Sequence, residues 1–290
     1  MAEPLSVADV RAAVESLEQL RTVLSEPRVT LVYLDEACFP DDAFADGFRK
    51  IHAAGKQAGL RLRRVERSTD GGLSSGDLLQ KIWEAPEPYR PDTLLIRSMD
   101  EAEIVREFIE NLSQREMPKP EIVYDYTVYG YNLEAVKMLL DLGAERLTAP
   151  IELNAHELRA LRRSAEELRV PGTGKAPSYE LVVYGHLPMM VSANCIRKTS
   201  AGCDHANRIL KLRDRMQKDM PVRCYCKYCY NQIFNADPMV LYDLGSRLPL
   251  LPKDSIRYDF SVERSAEVHR ILAGYLPEKL TRAHFTHGVD

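Results

Sequence analysis

Residues 93–151 read TLLIRSMDEAEIVREFIENLSQREMPKPEIVYDYTVYGYNLEAVKMLLDLGAERLTAPI, and three short apolar runs within them decide the fold. TLLIR (93–97), EIVYDYT (121–127) and RLTAPI (146–151) are rich in aliphatic and aromatic residues and too brief for helices, so they read as strands. Between them lie 101–113 and 133–142, where apolar residues recur at helical spacing. The second segment ends at Gly143, where a left-handed C-terminal turn suits glycine. Strands alternating with helices of this length need crossover connections, which predicts a parallel sheet with right-handed crossovers.

The alternation extends in both directions. Upstream, VTLVYLD (29–35) has buried-strand character, 41–58 reads as a helix ending at Gly59, and 76–85 as a short helix. LRLRRVE (60–66) alternates, which predicts a strand whose arginines face water. Downstream come a helix over 155–170, a strand at YELVVY (179–184), a strand at SIRYDF (255–260) and a helix over 262–275. At the front, Val7, Val10, Val14, Leu17, Leu20 and Leu24 keep three-and-four spacing. Residues 7–24 are therefore predicted as one amphipathic helix capped by Ser6. About seven strands in this order suit a (β/α) barrel, complete or lacking one unit. The expected organisation is an N-terminal helix (1–28), a barrel-like α/β domain (29–187 and 246–290) and a cysteine-rich metal-binding insertion (188–245).

Composition bounds the function. The chain has 290 residues, 45% hydrophobic and 28% charged, which excludes a largely disordered polymer. No run reaches the roughly 18 apolar residues of a membrane span, and the first ten residues lack the basic end and apolar core of an export signal. The expectation is a cytoplasmic protein without a membrane partner. Lys and Arg total 39 against 43 acidic residues, a net charge of −4, so there is no global basic footprint for nucleic acid. The sequence holds no dinucleotide-binding glycine turn, P-loop, Gly-x-Ser-x-Gly elbow or His-Glu-x-x-His pair.

The cysteines carry the chemistry. Cys38 stands alone, whereas Cys195, Cys203, Cys224, Cys226 and Cys229 fall within 35 residues. Cys226 and Cys229 form a Cys-x-x-Cys pair, whose spacing lets both sulfurs face one metal, and Cys195 with Cys203 supplies a second pair. Sulfur-only ligation suits zinc or an iron–sulfur cluster. Nine basic residues, from Arg197 to Lys227, oppose three acidic ones in this segment. It thus carries +6 and the remainder of the chain −10. Such a surrounding stabilises thiolates, and it equally suits an anionic substrate such as a peptide or an RNA backbone. The segment 209–216 reads as helical.

These residues resemble the collagenase-like peptidases, a family among the unclassified peptidases. Glu180, Gly185, Leu187 and Cys195 fall in register with the family signature, while Val182, His186, Pro188 and Ala193 depart from it. The phrases LPMMVSANC (187–195), LKLRDR (210–215), PVRCYCKYCYN (221–231) and IFNADPMVL (233–241) are similar to one branch of that family. VYDYTVYGYN (123–132), RLTAPIELN (146–154) and SIRYDFSVE (255–263) are similar to its barrel segments, so the resemblance covers roughly residues 90–275. Members of the branch are usually much longer, so the resemblance implies a carboxy-terminal portion or a shortened relative. It further implies a barrel with a four-iron four-sulfur cluster (alternatively zinc) on Cys195, Cys203, Cys226 and Cys229, with Cys224 and Cys38 as spare candidates.

Relatives divide between peptide hydrolysis and oxygen-independent, iron–sulfur-dependent hydroxylation of an RNA base or a quinone precursor. A hydrolase would use Glu180 or His186 as base. A structural zinc module without catalysis is the third reading. In a barrel the chemistry lies where strands run into their following loops. Asp125, Tyr126, Asn132, Glu152, Asn154, Glu180, His186 and Asp259 are therefore expected to converge near the insertion.

Overall fold

The computed structural model describes residues 9–66 and 73–288. In chain order the strands are β1 (Asp9–Val14), β2 (Leu31–Asp35), β3 (Gln57–Arg61), β4 (Thr93–Ile96), β5 (Glu121–Tyr124), β6 (Arg146–Thr148) and β7 (Ser178–Gly185). They continue with β8 (Pro188–Ser192), β9 (Ile209–Arg213), β10 (Asp219–Tyr225), β11 (Tyr230–Phe234), β12 (Met239–Val240) and β13 (Ser255–Asp259). The helices are α1 (Leu17–Leu24), α2 (Ala43–Ala53), α3 (Ser75–Glu84), α4 (Met99–Gln114), α5 (Leu133–Asp141), α6 (Ala155–Ala165), α7 (Ile196–Ala201) and α8 (Ser265–Leu272).

Strands β1 to β7 pair in parallel, each with the next. β13 then inserts between β7 and β1, through Ile256 opposite both Leu181 and Val10. The result is a closed parallel eight-stranded barrel with helices between its strands, a complete TIM-type barrel. Apolar side chains on the outer faces of the strands, such as Val32, Leu60, Leu94 and Ile122, meet the buried faces of the helices in one continuous core. Between β7 and β13 the chain leaves the barrel to form an antiparallel sheet in the order β8-β11-β10-β9. It returns through β12, which pairs antiparallel with the end of β7, so the inserted sheet spans 188–234.

Three expectations are corrected. Residues 7–24 are not one helix: β1 occupies Asp9–Val14 and α1 begins at Leu17 under a Ser16 cap. Ser6 and Val7 lie outside the described residues. A barrel strand buried on both faces loses its alternation, and the spacing of Val10, Val14 and Leu17 then imitates a helix. The strand expected at 60–66 starts at Gln57, and its arginines are not wet: Arg61 is 6% and Arg63 1% exposed. Gly59 lies within this strand because the Tyr33 ring fills the space beside it, where a Cβ would come within 2.3 Å. Finally, 209–216 is not helical. β9 pairs antiparallel with β10 over Ile209 to Arg213, and a turn follows.

Candidate functional site

The barrel lumen is charged. Alternate residues of each strand point inward, and few of them are simple hydrophobes. Ala13, Leu31, Tyr33, Leu95 and Val123 form a small apolar plug. Around it, Arg11 pairs with Asp9, Glu121 and Glu180, while Arg257 binds Asp125 at 2.8 Å and Asp259 at 2.7 Å and also pairs with Glu180. Nearer the C-terminal mouth, Arg61 joins Asp35 at 2.7 Å to Glu15, and Arg97 lies 3.0 Å from Asp35. Burial pushes the Asp35 and Asp125 carboxyls up. Arg97 and Arg61 around Asp35, and Arg257 beside Asp125, outweigh that and leave both below the ordinary carboxylate range.

The inserted sheet covers this mouth, and its anchors are polar. Arg223 on β10 donates to the Glu15 and Ser261 carbonyls, each at 2.8 Å, with its Nε 2.8 Å from the Glu15 carboxylate. Tyr225 donates its hydroxyl to the same carboxylate at 3.1 Å, and Tyr228 donates to Glu36 at 3.1 Å. Lys227 reaches the carbonyls of Glu36 and Phe39 and pairs with Asp41. The Arg63 guanidinium lies 3.9 Å from the centre of the Tyr228 ring. The lid is therefore held by a buried charge network rather than by a broad apolar seam.

At the tip of the lid lies a cavity of about 660 Å³. Cys195, Cys203, Cys224, Cys226 and Cys229 all line it, with Asn194, Lys198 and His205. The Cys226–Cys229 turn joins β10 to β11, and Cys229 adopts φ 50° to close it. Cys195 caps α7, its sulfur accepting from the Lys198 amide at 3.4 Å. Burial first, then the neighbouring Cys224, Cys195, Cys203 and Cys229, push the Cys226 thiol up to about 11. Burial and Cys195 also raise the Cys224 thiol. Five sulfurs thus share one electrostatic neighbourhood. Among the described residues, no three His, Cys, Asp or Glu side chains converge tightly enough for a single metal ion.

The remaining predicted residues divide. Asp125, Tyr126, His186 and Asp259 line a narrow chamber between the mouth and the lid, together with Glu15, Arg61, Arg64, Arg97, Tyr225 and Ser261. Glu180 does not join them. It is fully buried in the lumen and held by Arg257, Arg11, Thr148 and Tyr33. Asn132 and Asn154 are N-caps of α5 and α6, accepting from the Ala135 amide and from the His156 and Glu157 amides, and Glu152 hydrogen-bonds Tyr131. Cys38 does not line the cysteine cavity: it lies against Glu15 and Arg223 and packs on the Tyr225, Tyr228 and Tyr230 rings. Arg61, Arg97 and Glu15 escaped the sequence reading because isolated charged residues at strand ends look the same whether wet or enclosed.

Tyr225 lines both the cysteine cavity and the chamber, stacked on Tyr230 with ring centres 4.8 Å apart. The two spaces are thus neighbours across one layer of aromatic rings.

No family model and no curated protein matches this chain. Solved structures do. Orotidine 5'-monophosphate decarboxylase from Methanocaldococcus jannaschii is 10% identical with a TM-score of 0.44, covering 92% of this chain and 98% of its own. CutC from Streptococcus agalactiae is 14% identical with a TM-score of 0.40, covering 60% of this chain and 87% of its own. The ribulose-1,5-bisphosphate carboxylase/oxygenase of Pyrococcus horikoshii OT3 is 11% identical with a TM-score of 0.41, covering 63% of this chain and 49% of its own. Likeness at this level carries no argument about activity. No helix among the described residues is long and apolar enough to cross a membrane.

Proposed function

We propose that the chain is an iron–sulfur enzyme of the redox type, its cluster held by cysteines at the tip of the lid. The observation that carries this reading is the convergence of five cysteines on one cavity of about 660 Å³. A cluster spreads its sulfur ligands wider than one zinc ion does. Cys195, Cys203, Cys226 and Cys229 would be the ligands, and Cys224 the fifth thiol. The raised Cys226 and Cys224 thiols would give up their protons when a cationic centre binds. Lys198 beside the cavity favours the resulting thiolates. A bound cluster would supply one-electron chemistry that no side chain offers. This agrees with the branch of the collagenase-like peptidase family that hydroxylates an RNA base or a quinone precursor without oxygen.

The hydrolytic reading fares worse on the geometry. A general base must reach the proton it removes. Glu180 is enclosed and engaged by two arginines, and His186 Nδ1 is bonded to the Asn235 carbonyl at 2.8 Å. The decisive experiment is anaerobic purification of the whole chain followed by visible and electron paramagnetic resonance spectra. A brown protein whose reduced form gives a cluster signal supports the proposal. A colourless protein with one zinc per chain, with or without peptidase activity, defeats it.

A further inference from the structure

The chamber between barrel mouth and lid is separate from the cysteine cavity and has its own chemistry. It is narrow, about 30 Å³, which is room for about two oxygen-sized groups. Two enclosed polar groups on its wall lack hydrogen-bond partners: Arg97 Nη2, which faces Asp35 without an aligned bond, and Ser261 Oγ. Their residues are 8% and 5% exposed. Buried polar groups are nearly always satisfied, so such orphans point to something that binds between them.

The charges identify its class. Arg61 is engaged by Glu15 and Asp35, and Arg223 by Glu15. Asp125 and Asp259 are taken by Arg257. Arg64 also lines the chamber, and among the described residues it makes no hydrogen bond or ion pair. One uncompensated guanidinium, a second with a free N–H, a hydroxyl and the Gln232 amide therefore face a slot two oxygens wide. A guanidinium fork matches a planar carboxylate in two parallel hydrogen bonds.

We propose that this chamber is a binding site for the carboxylate of a small organic acid. Arg64 and Arg97 take the two oxygens, Ser261 steadies one of them, and the remainder of the molecule leaves past Tyr126 and His186. The site does not rest on metal in the cysteine cavity, so it stands or falls independently of the cluster.

Isothermal titration calorimetry of the full chain with malonate at low ionic strength tests it, with inorganic phosphate and acetate as parallel arms. Saturable binding of malonate, one per chain and tighter than phosphate, is expected. Arg64→Ala should weaken it at least tenfold, and Arg64→Lys should weaken it less. Arg64 is half-buried and, among the described residues, makes no hydrogen bond or ion pair, so circular dichroism of both variants should match the parent. Absence of saturable malonate binding overturns the assignment. Phosphate binding in preference to malonate, or an Arg64→Ala affinity equal to the parent's, overturns it as well.

Discussion

Single residues in the lumen decide both stability and its dependence on pH. Removing Arg257 as Arg257→Met leaves Asp125, Asp259 and Glu180 without their shared cation. A broken buried ion pair costs about 3–5 kcal/mol, and a urea unfolding curve should show a loss of that order. Asp35 and Asp125 have depressed folded pKa values. Their stabilisation is therefore present above the unfolded value near 3.8 and is lost as pH falls through the lower folded values. Glu101 acts oppositely. Burial, with Glu36 and Glu66 adding to it against the pull of Arg97, raises its carboxyl well above 4.5, and its Oε1 has no partner. Its contribution is complete below about 4.5 and is lost as pH rises through the folded value. Glu101→Gln should match the parent in acid and exceed it by about 1 kcal/mol at neutral pH. A variant less stable than the parent at neutral pH but equal to it in acid would show that the carboxylate is stabilised as the anion.

At the scale of elements, β3 and the lid are the informative parts. Gly59→Ala forces a methyl group against the Tyr33 ring and should cost about 1–3 kcal/mol by overpacking. Thermal denaturation reads this directly, and an unchanged midpoint would mean that the ring moves freely. The lid hangs on Glu15, which binds Arg61, Arg223 and Tyr225. Glu15→Ala should accelerate hydrogen exchange in β10 and β11 while leaving β4 to β6 as they were; uniform acceleration would mean that lid and barrel open as one unit. Neither element was fully readable in the sequence. LRLRRVE alternates as a half-wet strand does, and only the carboxylates of Asp35, Glu15 and Glu36, brought in from other strands, make its arginines internal. The apolar residues of β9, Ile209, Leu210 and Leu212, suit a helix face equally well, and it is pairing with β10 that makes them a strand.

For the whole molecule, the strand–helix alternation from 93 to 151 carried the barrel, because short apolar runs joined by amphipathic helices leave few other topologies. Its eighth strand, β1, was hidden since a strand buried on both faces has no periodicity of its own. The clustering of Cys195, Cys203, Cys226 and Cys229 was legible from their spacing; of the two spare candidates Cys224 lines the same cavity, whereas Cys38 belongs to the barrel mouth. The chamber was legible only in part: Asp125, Tyr126, His186 and Asp259 were expected to meet near the insertion and do, whereas Glu15, Arg61, Arg64 and Arg97 were not singled out, and β10 and β11 close it from the lid. The cysteine-held cluster is the central claim. It is tested most directly by iron and acid-labile sulfide content per chain, measured on anaerobically purified parent, Cys226→Ser and Cys38→Ser proteins. The expected result is about four irons and four sulfides in the parent and in Cys38→Ser, with most of both lost in folded Cys226→Ser. Iron absent from the parent, or fully retained in Cys226→Ser, would contradict it.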